Sequence, residues 1–570
     1  METPPIIKCS AFSPSEHSFN PHIFTTIMTT ADVRGEKPMV EMDEKELRGA
    51  SEARIAEDAR LATVTEHEMG FLRAMKHYRK AVFWSVCVSL ATIMEGYDNS
   101  LIGSFYGLPA FQKQFGIPYA GPPAGYQLEA KWQTALGLAS PIGFIIGLFT
   151  NGYLVERFGY RRVMLPCYFF TTAFIFVVFF AKSPAVLLVG ELLSAITFGV
   201  FGGLAPGYAA EVCPTVLRSY LTMYVNVTFV LGQIISAGVI LGMVNITTQW
   251  AYKIPFAIQW VWPVPLFSIL YFAPESPWWL VRRGRLEEAE RTIQRLSSDS
   301  MKNDAKNTVA MMLHTDNHEK EITAGATYLN CFRKTDLRRT EIACVAWMTQ
   351  QLQSISGLGG SYFYEQLGIS VQTSYALNFG NSAISLVGTF TAWALVGRVG
   401  RRTIYLYGVG LIAVFYFIVG FMALSPNATS SGIKWGQAGV LLVQSYTYSV
   451  STGPLAFTIA SETGSTRLRA KTIALARSSY YASSVVASSI SPFMINPTQG
   501  NWKGKAGFLN GGVTFLCFLW CYFRLVECKG RTCEELDILF ERRVPARKFA
   551  KYRVDAFTQD ENEVIQKVEN

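Results

Sequence analysis

Charged side chains are scarce in this 570-residue chain. Asp, Glu, Lys and Arg make up 16% of it, against about 25% in an ordinary soluble domain. Half of the residues are hydrophobic, and what sets the chain apart from a soluble globular protein is the shortage of charge together with the length of its apolar runs. The ten cysteines are scattered, several of them inside apolar runs (Cys87, Cys167, Cys517, Cys521). No two stand at a C-x2-C spacing, so they read as small core residues rather than metal ligands. The sequence also lacks a phosphate loop, a nucleophile–base arrangement and a metal-ligating cluster, so no enzyme activity, cofactor or metal is expected. No secretory signal opens the chain. The first 80 residues are polar, mixed in charge and without period. They read as a disordered cytosolic tail, with Met28 a candidate alternative start.

What is present is a succession of apolar runs of 18 residues or more, each long enough to cross ~30 Å of hydrocarbon. Twelve spans are expected, at 81–104, 133–155, 163–181, 185–209, 219–243, 254–273, 341–364, 373–396, 403–424, 436–460, 471–494 and 507–525. The fold class is an all-α polytopic membrane protein of two six-helix pseudo-symmetric bundles, at 81–281 and 341–525. A charged, helical stretch at 282–340 separates them, and 526–570 forms a C-terminal tail.

The halves repeat. Glu211-x6-Arg218 matches Glu462-x6-Arg469, each at the end of the fourth span of its half. Arg157-Phe-Gly159-Tyr-Arg161-Arg162 matches Arg398-Val-Gly400-Arg401-Arg402, and Pro274-Glu275-Ser276 matches Val526-Glu527-Cys528. Three motifs in register at a spacing of roughly 250 residues indicate parallel repeats. Loops after spans two, four, eight and ten carry the arginines (Arg157, Arg161, Arg162, Arg218, Arg398, Arg401, Arg402, Arg467, Arg469), while the opposite loops carry scattered lysines. Arginine-rich loops belong in the cytosol, which places both termini there in a plasma-membrane protein. The sequons at Asn245 and Asn427 fall in loops of the other side, as glycosylation requires. The +9 charge follows from this asymmetry and implies no nucleic acid.

Two acids stand inside the first span. Glu95 and Asp98 are three residues apart and project from one helix face. A charge at mid-bilayer costs roughly 2.5–3.5 kcal/mol, so such groups face a water-filled path or a partner. The pair reads as a proton site. The loop motifs read as gate chemistry, with Arg157, Arg161, Glu211, Arg218, Arg398, Arg401, Glu462 and Arg469 able to bridge at the cytosolic ends of the bundles.

Together Gly96-Tyr-Asp98, Arg157-Phe-Gly159-Tyr-Arg161, Glu211-x6-Arg218, Pro274-Glu-Ser-Pro-Trp-Trp-Leu280, Gly400-Arg-Arg402 and Glu462-x6-Arg469 resemble the sugar porter family of the major facilitator superfamily over about residues 81–540. Within it, Glu95-Gly-Tyr-Asp98, Ala210-Glu-Val-Cys-Pro214, Pro255-Phe-Ala-Ile-Gln-Trp-Val-Trp-Pro263 and Ala273-Pro-Glu-Ser-Pro-Trp-Trp-Leu-Val281 resemble the fungal α-glucoside (maltose-type) permeases. The resemblance implies alternating access around a central sugar site, with proton symport. The partners it implies are a sugar substrate, a proton and the lipid bilayer, around a monomer. Asp98 matches the family's proton-accepting aspartate, and Arg477 resembles a buried arginine of span eleven.

Two positions depart from the pattern. General sugar porters follow a span-four glycine with arginine, where Gly190 here is followed by Glu191. The α-glucoside permeases tend to place a glutamate where Phe144 stands. For the sugar, Asn226, Gln350, Gln351 and Tyr362 align with or lie near the family's polar and aromatic positions, and Phe457 stands where many sugar porters carry tryptophan. Trp347 and Trp393 suit stacking on a pyranose face, and an interfacial or lipid-facing tryptophan fits them equally well. The expected function is proton-coupled uptake of an α-glucoside such as maltose. The alternatives are a sugar-porter-like carrier of a non-sugar secondary metabolite and a non-transporting sugar sensor.

Overall fold

Hydrocarbon offers no partner to a backbone N–H or C=O, so apolar runs fold as helices that satisfy their own backbone. The computed structural model describes residues 71–552, apart from 120–124, 214, 299–304, 324–326, 397, 428–429, 466, 530–532 and 550–551. Most of the expected N-terminal tail, and residues 553–570, lie outside the described residues. Among the described residues, eight helices are long and apolar enough to cross a membrane: Ala130–Phe158, Tyr160–Phe179, Pro184–Val212, Tyr224–Met243, Trp250–Leu270, Val371–Val396, Arg401–Leu424 and Lys503–Arg524. They are spans two to six, eight, nine and twelve.

The other four spans are broken or polar, and Glu95, Asp98, Trp347, Phe457 and Arg477 lie on them. Span one is two helices, Arg79–Ser89 and Ala91–Phe105. At its break Thr92 Oγ1 bonds the Ser89 carbonyl at 2.7 Å and meets Thr228 Oγ1 of span five at 2.6 Å, hydroxyls taking over backbone groups where the helix is interrupted. Span seven runs Lys334–Leu352 and resumes at Ser361–Gln366. Span ten runs Ser431–Val450, turns at Ser451 beside Gly453-Pro454, and continues as Thr452–Thr463. Span eleven, Arg469–Ile495, is a single helix rich in serine.

Spans one and five cross at a distance only glycine permits. A Cβ on Gly96 would lie 2.0 Å from the Phe229 carbonyl oxygen, and one on Gly232 would lie 2.2 Å from that of Ile93. Such backbone-to-backbone contact substitutes packing for the hydrophobic effect, which is weak between helices in lipid. It holds Glu95 and Asp98 against the bundle.

The repeat recurs as capping chemistry at the arginine-rich end. Glu275 accepts the backbone N–H groups of Tyr160 (2.8 Å) and Arg161 (3.2 Å) at the start of span three. Glu527 accepts those of Arg401 (2.9 Å) and Arg402 (3.1 Å) at the start of span nine. Each carboxylate satisfies orphan donors and meets the positive end of a helix dipole. At the opposite end Ile117–Tyr119 and Gly125–Gln127 pair as a short antiparallel hairpin after span one, a feature the apolar pattern does not signal. Helices Pro277–Arg282, Leu286–Leu296 and Ala305–Thr323 fill the charged stretch between the halves.

Candidate functional site

The break in span one sets a short helical segment at the meeting point of the two halves. On it Glu95 is 6% exposed and Asp98 is 3% exposed. Gln259 of span six donates its amide to Asp98 Oδ1 at 2.7 Å. Arg477 of span eleven donates Nη1 to the Gly202 carbonyl of span four. A Cβ on Gly202 would stand 3.1 Å from Arg477 Nη2 and 3.2 Å from Glu95 Oε2, so guanidinium and carboxylate flank one glycine. The three expected proton-coupling residues are thus brought to one region, with Arg477 opposite Glu95 rather than Asp98.

An aromatic wall runs beside them across both halves. Phe457 of span ten meets Trp347 of span seven at 4.3 Å between ring centroids, Trp347 meets Tyr480 at 5.8 Å, and Tyr480 meets Tyr481 at 5.2 Å. Tyr481 then stacks on Phe144 of span two at 5.2 Å with the rings 7° from parallel. Gln351 lies beside the Tyr480 hydroxyl, and Arg477 beside that of Tyr481. Trp347 Nε1 is buried without a partner, while Phe457 is 45% exposed. Apolar ring faces with a free N–H and an amide at their edge suit a ligand with C–H faces and hydroxyl rims.

Other expected sugar contacts lie elsewhere. Gln350 Nε2 donates to the carbonyls of Thr452 (3.1 Å) and Gly453 (3.0 Å), bracing the break in span ten. Tyr362 Oη lies 3.4 Å from Gln133 Nε2 and 3.5 Å from Gln127 Oε1, joining the halves at the arginine-poor end. Trp393 packs on Phe390 of its own helix. Asn226 is half-buried on span five. The sequon residues Asn245 and Asn427 are both exposed at that same end.

Of the expected gate charges, Glu462 and Arg401 are brought together as a pair, while Glu211 finds Arg282 instead of another of the named arginines. Glu211 bonds Arg282 and Ser276, and the side chain of Arg218 lies outside the described residues. Glu462 pairs with Arg401 at 3.1 Å, whereas Arg469 is exposed at the start of span eleven. Arg157 donates to the Tyr153 hydroxyl at 2.6 Å, Arg161 offers its backbone N–H to Glu275, and the Arg398 carbonyl accepts from Lys529. Each of these contacts stays within one half. The reason is reach: Arg282 and Arg401 stand beneath the ends of spans four and ten, within range of the glutamates.

Two buried acids are not among the expected site residues. Glu191, on span four, is 1% exposed and faces Asp98 within hydrogen-bonding reach. Glu365, at the end of span seven, is buried with Oε1 unpartnered. It lies against span one, where a Cβ on Gly107 would be 2.5 Å from that oxygen. A lone acid inside an apolar helix is the signal that would have flagged Glu191.

Broken helices meeting at a central acidic and aromatic cluster, on two repeated halves, define a secondary transporter of the major facilitator superfamily. Residues 84–540 match the family described as "Sugar (and other) transporter", and the chain belongs to that family. It is a membrane transporter rather than an enzyme. It is 37% identical to the general alpha-glucoside permease of Saccharomyces cerevisiae over 522 residues, which cover 90% of this chain and 84% of the permease. To the maltose permease MAL31 of the same yeast it is 37% identical over 509 residues, covering 88% and 82%. The fold matches the Escherichia coli xylose transporter XylE in a partially occluded inward-open conformation, with a TM-score of 0.63 at 20% identity over 79% of this chain and 99% of that one.

Proposed function

We propose that this chain carries an α-glucoside such as maltose into the cell across the plasma membrane by proton symport and alternating access. The observation that carries this reading is the junction of Glu95, Asp98 and Arg477 beside the aromatic wall, where the two halves meet. A proton on this acidic cluster changes the charge that must be carried between the two faces, which couples protonation to reorientation. The relatives that cover most of the chain are named for α-glucosides and maltose. The arginine-rich end is the cytosolic end and both termini lie there. Glu211 with Arg282, and Glu462 with Arg401, brace the inner gate, and Asn427 and Asn245 are the glycan acceptors. The test is uptake of a radiolabelled disaccharide panel by yeast lacking its own permeases. Accumulation of maltose or another α-glucoside, abolished by a protonophore, is the expected result, and a flat panel overturns the reading.

A second reading is a carrier of a less hydroxylated metabolite. Gln350 is engaged by backbone carbonyls and Phe144 presents a ring where an acid is expected, both of which thin the polar lining. A flat disaccharide panel with uptake of a non-sugar secondary metabolite would select it.

A further inference from the structure

Glu191 has a surrounding that only a proton makes favourable. It is one of two charged residues of the helix Pro184–Val212, the other being Glu211 at its end. Among the described residues no N–H or O–H donor reaches either of its carboxylate oxygens. What faces it is the carboxyl group of Asp98, itself buried and within hydrogen-bonding reach. Two ionised carboxylates present only lone pairs to each other and repel. With one proton between them they form a short, charge-assisted hydrogen bond.

The neighbours leave this proton as the remedy at hand. From span one, Tyr106 lies near Glu191 and Tyr97 lies near Asp98, but their hydroxyls donate to the carbonyls of Gln133 (3.1 Å) and Pro255 (2.8 Å). From span six, Gln259 donates to Asp98 Oδ1. The cation of the region, Arg477, sits at Gly202 beside Glu95, eleven residues and roughly 16 Å further along span four. An amide donor on Asp98 suits an ionised acceptor, which leaves Glu191 as the member that donates.

We propose that Asp98 and Glu191 bind one transported proton as a shared carboxyl–carboxylate pair. Glu191 thus supplies, from span four, the additional acid that Phe144 does not supply from span two. The proposal rests on the symport reading above and names its proton site. Release of the proton leaves two negative charges a hydrogen bond apart, away from water. That state is unfavourable until the segment reaches an aqueous face, so the pair ties proton release to reorientation.

The test uses the full chain in two formats. In purified protein at neutral pH, the infrared difference spectrum of wild type minus Glu191→Gln is expected to show a protonated-carboxyl band that is sensitive to deuterium exchange. In cells, Glu191→Gln lowers concentrative α-glucoside uptake at least tenfold and flattens its pH dependence, and Glu191→Asp shifts the pH midpoint. The double variant with Asp98→Asn is no worse than either single change, as expected of residues acting as one unit. A difference spectrum without that band overturns the shared proton, as does an unchanged pH profile in both Glu191 variants. The infrared arm does not depend on transport. Loss of the band with Glu191→Gln in a wild type that shows no proton-driven uptake therefore supports the pair and removes the symport reading alone. Should Glu191→Gln fail to reach the surface, Glu191→Asp decides the cellular arm, and an unmoved midpoint counts against the pair.

Discussion

Tyr375 of span eight donates its hydroxyl to the Ser104 carbonyl of span one at 2.5 Å, tying the two halves at the arginine-poor end. Asn496 of span eleven makes a parallel tie, donating Nδ2 to the Leu128 carbonyl at 2.9 Å. Both acceptors are backbone oxygens, so the closure does not depend on charge. The ion pairs at the other end each stay within one half. This is the arrangement of a transporter shut on one side.

Removing one such tie should favour the opposite state. Tyr375→Phe deletes a hydrogen bond worth about 1 kcal/mol, a roughly fivefold change in population. A cysteine introduced at Gln133, which is buried at this end, should then react several times faster with an impermeant maleimide added outside. An unaltered labelling rate would mean that Tyr375 does not hold the closed state.

The glycine crossing of spans one and five sets a second expectation. Gly96→Ala forces a methyl group to within 2.0 Å of a backbone oxygen, and neither helix can yield locally. A loss of about 2–3 kcal/mol is expected, visible as a lower melting temperature in detergent. Gly103→Ala, with nothing within 4 Å of its added Cβ, should be neutral or gain up to about 1 kcal/mol in helix propensity. Equal melting of the two variants would contradict the packing argument.

At span nine, a Cβ on Gly400 would lie 2.2 Å from Glu527 Oε2. Gly400→Ala must displace that carboxylate from the N–H groups it caps, at about 1 kcal/mol. Glu527→Gln keeps an acceptor but loses the attraction to the dipole, so it should cost less. A milder effect for Gly400→Ala than for Glu527→Gln, read from thermal stability, would reverse this order and the explanation with it.

Asp98→Asn should abolish accumulation against a gradient while leaving some downhill exchange, because the asparagine cannot carry a proton between faces. Counterflow in preloaded cells separates the two activities. Undiminished concentrative uptake would remove Asp98 from the coupling mechanism.

Much of this architecture is legible in the sequence because hydropathy and arginine placement report directly on the bilayer. Glu95 and Asp98 stand out for the same reason. Glu191 was readable by that rule, but its position drew notice for the arginine it lacks rather than for the acid it holds. The partners of Glu211 and Gln350 were not readable. Arg282 is brought to Glu211 by the turn after span six, and Gln350 finds its acceptors at the break in span ten. Both contacts depend on where helices stop, which composition marks only weakly. Span breaks of this kind are set by tertiary contacts such as Thr92 with Thr228.

If the halves reorient as proposed above, the stack of Phe144 on Tyr481 joins surfaces that travel past each other in every cycle. A hydrogen bond in that place would have to rupture before anything moved. Parallel rings lose little when offset by an ångström or two, since their attraction is broad and has no single direction. On that reading the contact serves as a plain bearing: it keeps the halves in touch while letting them glide, where a buried acid would have introduced a catch.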